Sequence, residues 1–449
     1  MAYIGSTPTS QNFTSGTDYF SGTGSQTAYT LTRTVNSVND IEVTINNVVQ
    51  QPNSYTVSGT TLTISAAPSS GTSNVYVRYL STTLQSITVP NNSITYAKLD
   101  SNVQAGFQGR NRIINGHMAV DQRNAGASLN PADGAFSVDR WKCAVYPTTG
   151  KYTVQQNAGS VTPPTGFTNY LGITSSSAYT SGSTDQYFIN QRIEGFNFAD
   201  LGWGTANAKT VTLSFWVYSS LATTFGGSII NSNGNRAYPF SYTTTATNTW
   251  QQVSITITGE TSGTWGTTNG IGALVVFNLG CGSATAGTAG AWVNAERYTV
   301  TGSTNLLATS GATLYITGVQ LEEGTTATSF ERETYSVTLQ KCQRYYYRMN
   351  YDGTYGGGFG TAAGMVGGNI RGGLILPVQM RTSPTWTVGT IGNLQGQGNG
   401  AGYACSSYAA YGLSNNNLFF GLNSGSFSGS TAYCVYQSAD ANSNFSAEL

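Results

Sequence analysis

Residues 314–321, Leu-Tyr-Ile-Thr-Gly-Val-Gln-Leu, constrain the fold of this chain more than any other stretch. Side chains alternate faces along a strand, so Leu314, Ile316 and Leu321 share one face only if an extra residue is inserted between them. Gly318 is where that bulge would sit, and a strand bent there can close the edge of a sandwich. The acidic turn Glu322-Glu323-Gly324 follows. It hands the chain to Tyr335–Tyr347, where Val337, Leu339 and Cys342 fit a short helix about as well as a strand. The stretch reads as a seam between two domains.

Short runs of the same alternating kind, separated by Asn, Gly, Pro and Thr turns, recur along the chain and predict an all-β protein. The 449 residues suffice for several domains. Charged residues make up 8% of them, against about 25% in an average soluble protein, so hydroxyls and amides carry the solubility. With Lys+Arg 19 and Asp+Glu 19 the formal net charge is +0. There is no basic field for phosphate backbones, which argues against nucleic acid as a partner. Cys143, Cys281, Cys342, Cys405 and Cys434 show no CxxC pair and no histidine cluster, and are expected as mostly buried free thiols, with a Cys405–Cys434 bridge as the alternative. The first residues lack a signal-peptide pattern and no apolar run approaches a membrane span, so membrane insertion is not expected.

The expected order is as follows. Residues 1–84 form a small N-terminal β-sandwich from YTLTRTV, DIEVTINNVVQ, YTVSG, TLTISA and NVYVRYL. Residues 85–108 form a short helical connector in which Tyr96, Leu99 and Val103 fall at a/d/a spacing; one heptad is too little for an isolated helix, so the stripe is expected against copies of itself, or else against a neighbouring domain. Residues 109–335 carry about eight strand-like pieces, from AFSVDRWKCAVY through AWVNAERYTV to TLYITGVQLEEG, and suit a central jelly roll. Within it Leu213, Phe215 and Val217 point one way. Residues 336–449, Gly-dense from 348 onward, read as a C-terminal β-rich tip.

Three segments carry a resemblance. They are NDIEVTINNVVQQPNSYTVSGTTLTIS, SITYAKLDSNV, and the ordered pair RNRIINGHMAVDQRNAG with DRWK and ITGVQLEEGTTATSFERETYSVTLQKCQRYYYR. Over roughly residues 1–347 the chain resembles tail fibre or receptor-binding proteins of tailed bacteriophages with a carbohydrate-binding-like jelly roll. The resemblance implies a homotrimeric fibre on the virion, attached to a phage tail protein at its N-terminus and turned toward a host surface polysaccharide. It also leaves a structural calcium open, with Asp133 and Asp139 beside Asn carbonyls as candidates; solvated or ion-paired carboxylates are the plainer reading.

Sugar recognition stacks CH faces on aromatic rings while amides and hydroxyls take the ring OH groups. Trp203, Trp265, Tyr355, Tyr403, Tyr408 and Tyr411 stand in Gly/Ser/Asn surroundings and are the glycan-binding candidates, whereas Trp216 and Trp250 lie in or beside strands and are expected in the core. No catalytic residue is proposed. His117 is the only histidine and no GxSxG elbow accompanies it. Glu331 and Glu333 could share a face, but ion pairing with Arg332, Lys341 or Arg344 is the favoured role. Tyr345-Tyr346-Tyr347 are expected to be buried at the junction or a trimer seam. The reading is therefore a tail fibre that binds glycan without catalysis; the alternatives are a glycan-depolymerising tailspike or a purely structural virion protein.

Overall fold

A computed structural model of the chain describes residues 16–80, 109–349, 358–439 and 442–449. Tyr96, Leu99, Val103 and Tyr355 lie outside them. By its internal contacts the chain divides into two compact units, residues 1–94 and 95–449. Both are built from β-strands, with one α-helix among the described residues.

In the first unit β1 (Thr17–Gly22), β6 (Gly71–Tyr79), β3 (Ile41–Ile45) and β4 (Val48–Val49) form a sheet in that order, and β2 (Ala28–Val35) pairs with β5 (Tyr55–Ile64). Their apolar faces meet in a core that includes Val43, Leu62, Val75 and Val77. Asn46 and Asn47, both at positive φ, make the tight β3–β4 turn. The two runs YTVSG and TLTISA are one continuous strand, β5.

The second unit begins with a two-sheet sandwich. One sheet has the order β13-β12-β15-β10-β7 and the other β14-β11-β18-β9-β8. Here β7 is Trp141–Tyr146, β8 Tyr152–Gln156, β9 Leu171–Ser175, β10 Gln186–Glu194, β11 Val211–Ser219, β12 Thr224–Asn231, β13 Ala237–Thr243, β14 Gln251–Ile257, β15 Ile271–Asn278 and β18 Thr313–Glu323; a short parallel pair, β16 (Ala286–Gly287) and β17 (Thr299–Val300), lies between β15 and β18. Trp141, Ile189, Leu213, Phe215, Phe277 and Ile316 are among the buried side chains of a single core. Strands β9, β12 and β13 were not expected from sequence. The glycine pair Gly226-Gly227 breaks the apolar pattern of β12, and Pro239 sits in β13, tolerated because β13 is an edge strand. AWVNAERYTV, expected as a strand, contributes only β17.

The bulge in β18 is present at Gly318. Pairing with β11 passes from Ser214 opposite Gln320 to Trp216 opposite Thr317, so Gly318 and Val319 together face Phe215. Gly318 has φ +61. The extra residue switches the parity of the strand and brings Leu314, Ile316, Val319 and Leu321 into one core. It also leaves the C-terminal half of β18 beyond the reach of β9, which pairs only with 313–316. Residues 111–116 cover that edge instead: the Val319 N–H donates to the Gly116 carbonyl (2.9 Å), the Arg112 N–H to the Leu321 carbonyl (2.9 Å), Asn111 Nδ2 to the Val319 carbonyl (3.1 Å), and the Leu321 N–H to Asn111 Oδ1 (3.0 Å). Glu331 accepts from the Gly109 and Asn111 amides (2.5 and 2.7 Å). The two separated signature segments are thus one hydrogen-bonded structure.

After the sandwich, α1 (Tyr335–Gln343) settles the ambiguous segment as a helix with Thr338 and Cys342 buried. Strands β19 (Tyr346–Arg348), β20 (Gly358–Met365), β21 (Asn369–Ile375), β22 (Thr385–Val388), β23 (Leu394–Gly398), β24 (Ala401–Ala404), β25 (Ser407–Leu413), β26 (Asn417–Asn423), β27 (Ala432–Gln437) and β28 (Ser443–Ser446) follow. Seven of them form one sheet, β24-β23-β27-β20-β21-β26-β25. Its end strands β24 and β25 are separated in sequence only by Cys405 and Ser406. The sheet therefore curls until its ends meet: the Cys405 N–H bonds to Leu394 of β23 (2.8 Å) and the Ser406 N–H to Asn423 of β26 (2.7 Å). A separate core fills the interior. Cys405 is buried, Cys434 exposed, and all the cysteines are free.

The curled sheet is joined to the sandwich through buried charge. Glu194, at the end of β10, accepts Arg344 Nε and Nη2 (2.9 and 2.6 Å) and the Tyr345 hydroxyl (2.5 Å). Glu448 accepts from Arg123 (2.9 Å) and Arg140. The Arg140 guanidinium lies 3.6 Å from the Tyr345 ring centroid, and that of Arg123 3.6 Å from Tyr346. Tyr345 and Tyr346 are thus buried at the junction, while Tyr347 stacks on Phe445. Asp139, also held by Gln122 and Arg123, is so deeply buried that its pKa is pushed up to about 6, although Arg123 pulls the other way.

Two outcomes are expected. Gly318→Ala and Gly311→Ala both place alanine at positive φ, costing roughly 1–2 kcal/mol, but a Cβ at 318 would stand 2.6 Å from Phe167 and one at 311 meets nothing within 4 Å. The urea midpoint should fall clearly further for Gly318→Ala, and equal losses would count against the bulge as a packed device. Asp139 carries a raised folded pKa, so its contribution to stability is lost as pH rises from about 4 through about 6 and is flat above. Asp139→Asn should therefore gain relative to the parent between pH 4.5 and 7 in denaturant titrations.

Candidate functional site

The glycine-flanked tryptophans are not at the surface. Trp203 and Trp265 are 5% and 6% exposed and pack edge to face at 4.8 Å, with Phe198 and Trp292 completing the cluster. Their indole N–H groups donate to the Lys209 carbonyl (2.7 Å) and the Ser262 carbonyl (3.1 Å). This corrects the expectation of loop rings open to a ligand. Gly204 beside Trp203 permits close approach of two loops, since a Cβ there would lie 2.6 Å from the Gly263 oxygen. Trp216 and Trp250 are corrected in the opposite sense: both are half-buried. Trp216 alternates with Leu213, Phe215 and Val217 and so must face outward.

The tyrosine candidates sit on the curled C-terminal sheet. Tyr403 is half-buried beside Phe427 and Tyr433. Tyr408 lies against Trp386 at 4.7 Å and its hydroxyl accepts the Val388 N–H. Tyr411 is the most open, 53% exposed, with the Arg371 guanidinium 4.5 Å from its ring centroid. They share the curled sheet, whereas the two tryptophans pack on the sandwich of the same unit.

The two carboxylates weighed for catalysis are engaged: Glu331 accepts the Gly109 and Asn111 amides instead of pairing with a cation, and Glu333 pairs with Lys341. Their neighbours in the acidic turn are engaged too, Glu322 with Thr328, Gln320 and Arg110 (3.9 Å) and Glu323 with Lys209. His117 stands edge-on to Phe330 at 5.8 Å, and burial lowers its pKa. Of the calcium candidates, Asp139 is taken up by Gln122 and Arg123, and Asp133 accepts the Val145 N–H (2.9 Å). No group of three His, Cys, Asp or Glu side chains converges as a metal site among the described residues.

A cleft that the sequence reading missed lies on the outer face of the β13-β12-β15-β10-β7 sheet. Along β10, Tyr187, Ile189 and Ile193 point into the core, so Phe188, Asn190 and Arg192 point out and form its floor. Lys142 on β7, Ile230 on β12 and Leu274 on β15 flank them, Asp133 and Ser232 reach the rim, and Glu296 and Tyr298 come from the segment after β16; the cleft holds about 260 Å³. Tyr298 is held over the sheet by stacking on Phe188, with centroids 4.5 Å apart. Burial raises the Tyr298 pKa far above its ordinary range, and the neighbouring Glu296 carboxylate adds to the shift. Burial lowers the Lys142 pKa, and the neighbouring Arg192 charge adds to that.

Two buried polar atoms of residues that line the cleft lack protein partners. Asn190 is 3% exposed. Its Nδ2 donates to the Lys142 carbonyl (3.2 Å), but its Oδ1 accepts nothing; Arg192 uses Nη1 on the Leu449 oxygen (2.7 Å) while its Nε is buried without an acceptor. Buried polar atoms are nearly always paired, and leaving one unpaired costs about 1–3 kcal/mol. An unpaired acceptor and an unpaired donor, two residues apart on one strand face beside an aromatic stack, suit a ligand rich in hydroxyls, because each hydroxyl both donates and accepts.

No family model and no curated protein matches the chain. Among solved structures, the enzymatically active domain of bacteriophage CBA120 tailspike protein 4 aligns at 14% identity over 43% of this chain and 21% of that one, with a TM-score of 0.26. A CBM4 structure aligns at 17% identity over 47% of this chain and 98% of that one, with a TM-score of 0.25. The family 11 carbohydrate-binding module from Clostridium thermocellum aligns at 12% over 44% and 96%, with a TM-score of 0.22. Likenesses at these scores carry no argument about function, which rests on the residues.

Proposed function

We propose that this chain binds a cell-surface glycan without cleaving it, and that it does so as a homotrimeric tail fibre of a tailed bacteriophage. Residues 1–84 would attach to the tail and residues 85–108 would bring three copies together. The glycan would sit in the cleft over β10. The observation that carries the binding reading is the pair of unpartnered atoms, Asn190 Oδ1 and Arg192 Nε, beside the Phe188–Tyr298 stack. A saccharide satisfies both and lays an apolar face on the aromatic edge. Tethering three weak sites on one fibre raises the effective concentration of the second and third.

The depolymerising alternative finds candidate carboxylates at the cleft rim, in Asp133 and Glu296. Hydrolysis needs one of the two as an acid and the other as base or nucleophile across the scissile bond. Asp133 instead accepts the Val145 backbone N–H, which supports binding over chemistry.

Incubating the purified chain with bacterial capsule and lipopolysaccharide preparations tests this reading. Asn190→Ala should weaken retention on the bound polysaccharide about tenfold, as expected for one lost hydrogen bond to a buried group, with no release of reducing ends by the parent chain. Reducing ends produced by the parent and lost in Glu296→Gln would establish hydrolysis instead. Light scattering on the full chain should return three times the 47.3 kDa chain mass; a monomer would refute the threefold assembly.

A further inference from the structure

A second cavity, of about 200 Å³, lies where residues 109–114 meet the end of α1; Arg112, Lys341 and Arg344 line it together with Asn197, Ile114 and Gly109. No carboxylate lines it. In a chain with Lys+Arg 19 over 449 residues, three cationic heads on so small a space form a marked concentration. Each is held from the side by an acid: Asp200 takes Arg112 at 2.6 Å, Glu333 takes Lys341, and Glu194 takes Arg344 at two oxygens. These acids fix the direction of the heads and leave the cavity open. Arg112 keeps one more donor, a buried Nε–H without an acceptor.

We propose that this cavity is an anion site for the carboxylate of an acidic sugar residue, separate from the cleft over β10. A carboxylate there would take charge-assisted hydrogen bonds from Arg112 Nε and from the Lys341 ammonium, each roughly twice as strong as a neutral one. Asn197, exposed at the rim, reaches a ring hydroxyl, and Ile114 meets the apolar face of the ring. The volume admits one sugar ring. The site therefore reads a terminal or branch acid, and a neutral hexose leaves the Arg112 donor without a charged acceptor. Because Asp200, Glu333 and Glu194 balance the three cations, discrimination comes from directed hydrogen bonds more than from net charge.

The test is calorimetric titration of the full chain, at low ionic strength, with sodium glucuronate, glucose and inorganic phosphate. In the Asn190→Ala chain, whose cleft over β10 is weakened, glucuronate should bind and glucose should not. Arg112→Gln should weaken glucuronate at least tenfold in chain that remains folded, and Asn190→Ala, in the other cleft, should leave it unchanged. Lys341→Gln gives the same comparison if Arg112→Gln does not fold. Absence of glucuronate binding, glucose bound as tightly as glucuronate, or affinity indifferent to both Arg112→Gln and Lys341→Gln would overturn the proposal. Phosphate binding without glucuronate binding would also overturn it, marking an inorganic-anion site. A loss in Asn190→Ala alone would assign the ligand to the cleft over β10.

Discussion

The extra residue at Gly318 is the constraint on which the second unit depends. It lets β18 keep Leu314, Ile316, Val319 and Leu321 in one core although they are not evenly spaced. The same kink uncovers backbone groups in the second half of the strand, and buried backbone groups must be paired. Residues 111–116 pair them. Because that segment runs on into Gln122 and Arg123, which hold Tyr346 and Glu448, the bulge also sets where the C-terminal sheet can dock.

Charge is used sparingly, and one buried cluster of it lies at this junction. Arg123, Arg140 and the carboxylates Asp139, Glu448 and Glu194 are withdrawn from solvent where the curled sheet meets the sandwich, while Arg344, the partner of Glu194, stays partly exposed. Removing one partner of such a pair typically costs about 3–5 kcal/mol because it strands the other, even where the intact pair adds little over an apolar contact. The network therefore fixes the geometry of the join more than it adds stability. Elsewhere most of the polar surface is amide and hydroxyl, a chemistry that offers neutral donors and acceptors.

Much of the fold was legible because alternation is a local signal. Leu213, Phe215 and Val217, and the break at Gly318, could be phased from the residues alone. Strands β12 and β13 were not, since Gly226-Gly227 and Pro239 interrupt the pattern at positions that only the sheet order explains. The candidate site was less legible. Glycine beside Trp203 and Trp265 suggested exposure, whereas it served close packing of loops over the core. The parity that placed Phe215 inside had already placed Trp216 outside. The same parity along Tyr187, Ile189 and Ile193 exposes Phe188, Asn190 and Arg192, but nothing local says that Tyr298, more than a hundred residues later, folds back to stack on Phe188 and roof the cleft.

Hydrogen exchange with and without bound polysaccharide tests most directly whether the glycan sits over β10. Exposed loop amides open cheaply, so ligand contact is read in them first. Protection should appear in the rim segments 131–134, 232–235 and 294–298. Protection confined to 399–415, around Tyr403, Tyr408 and Tyr411 on the C-terminal sheet, would contradict that placement and move the site to the curled domain.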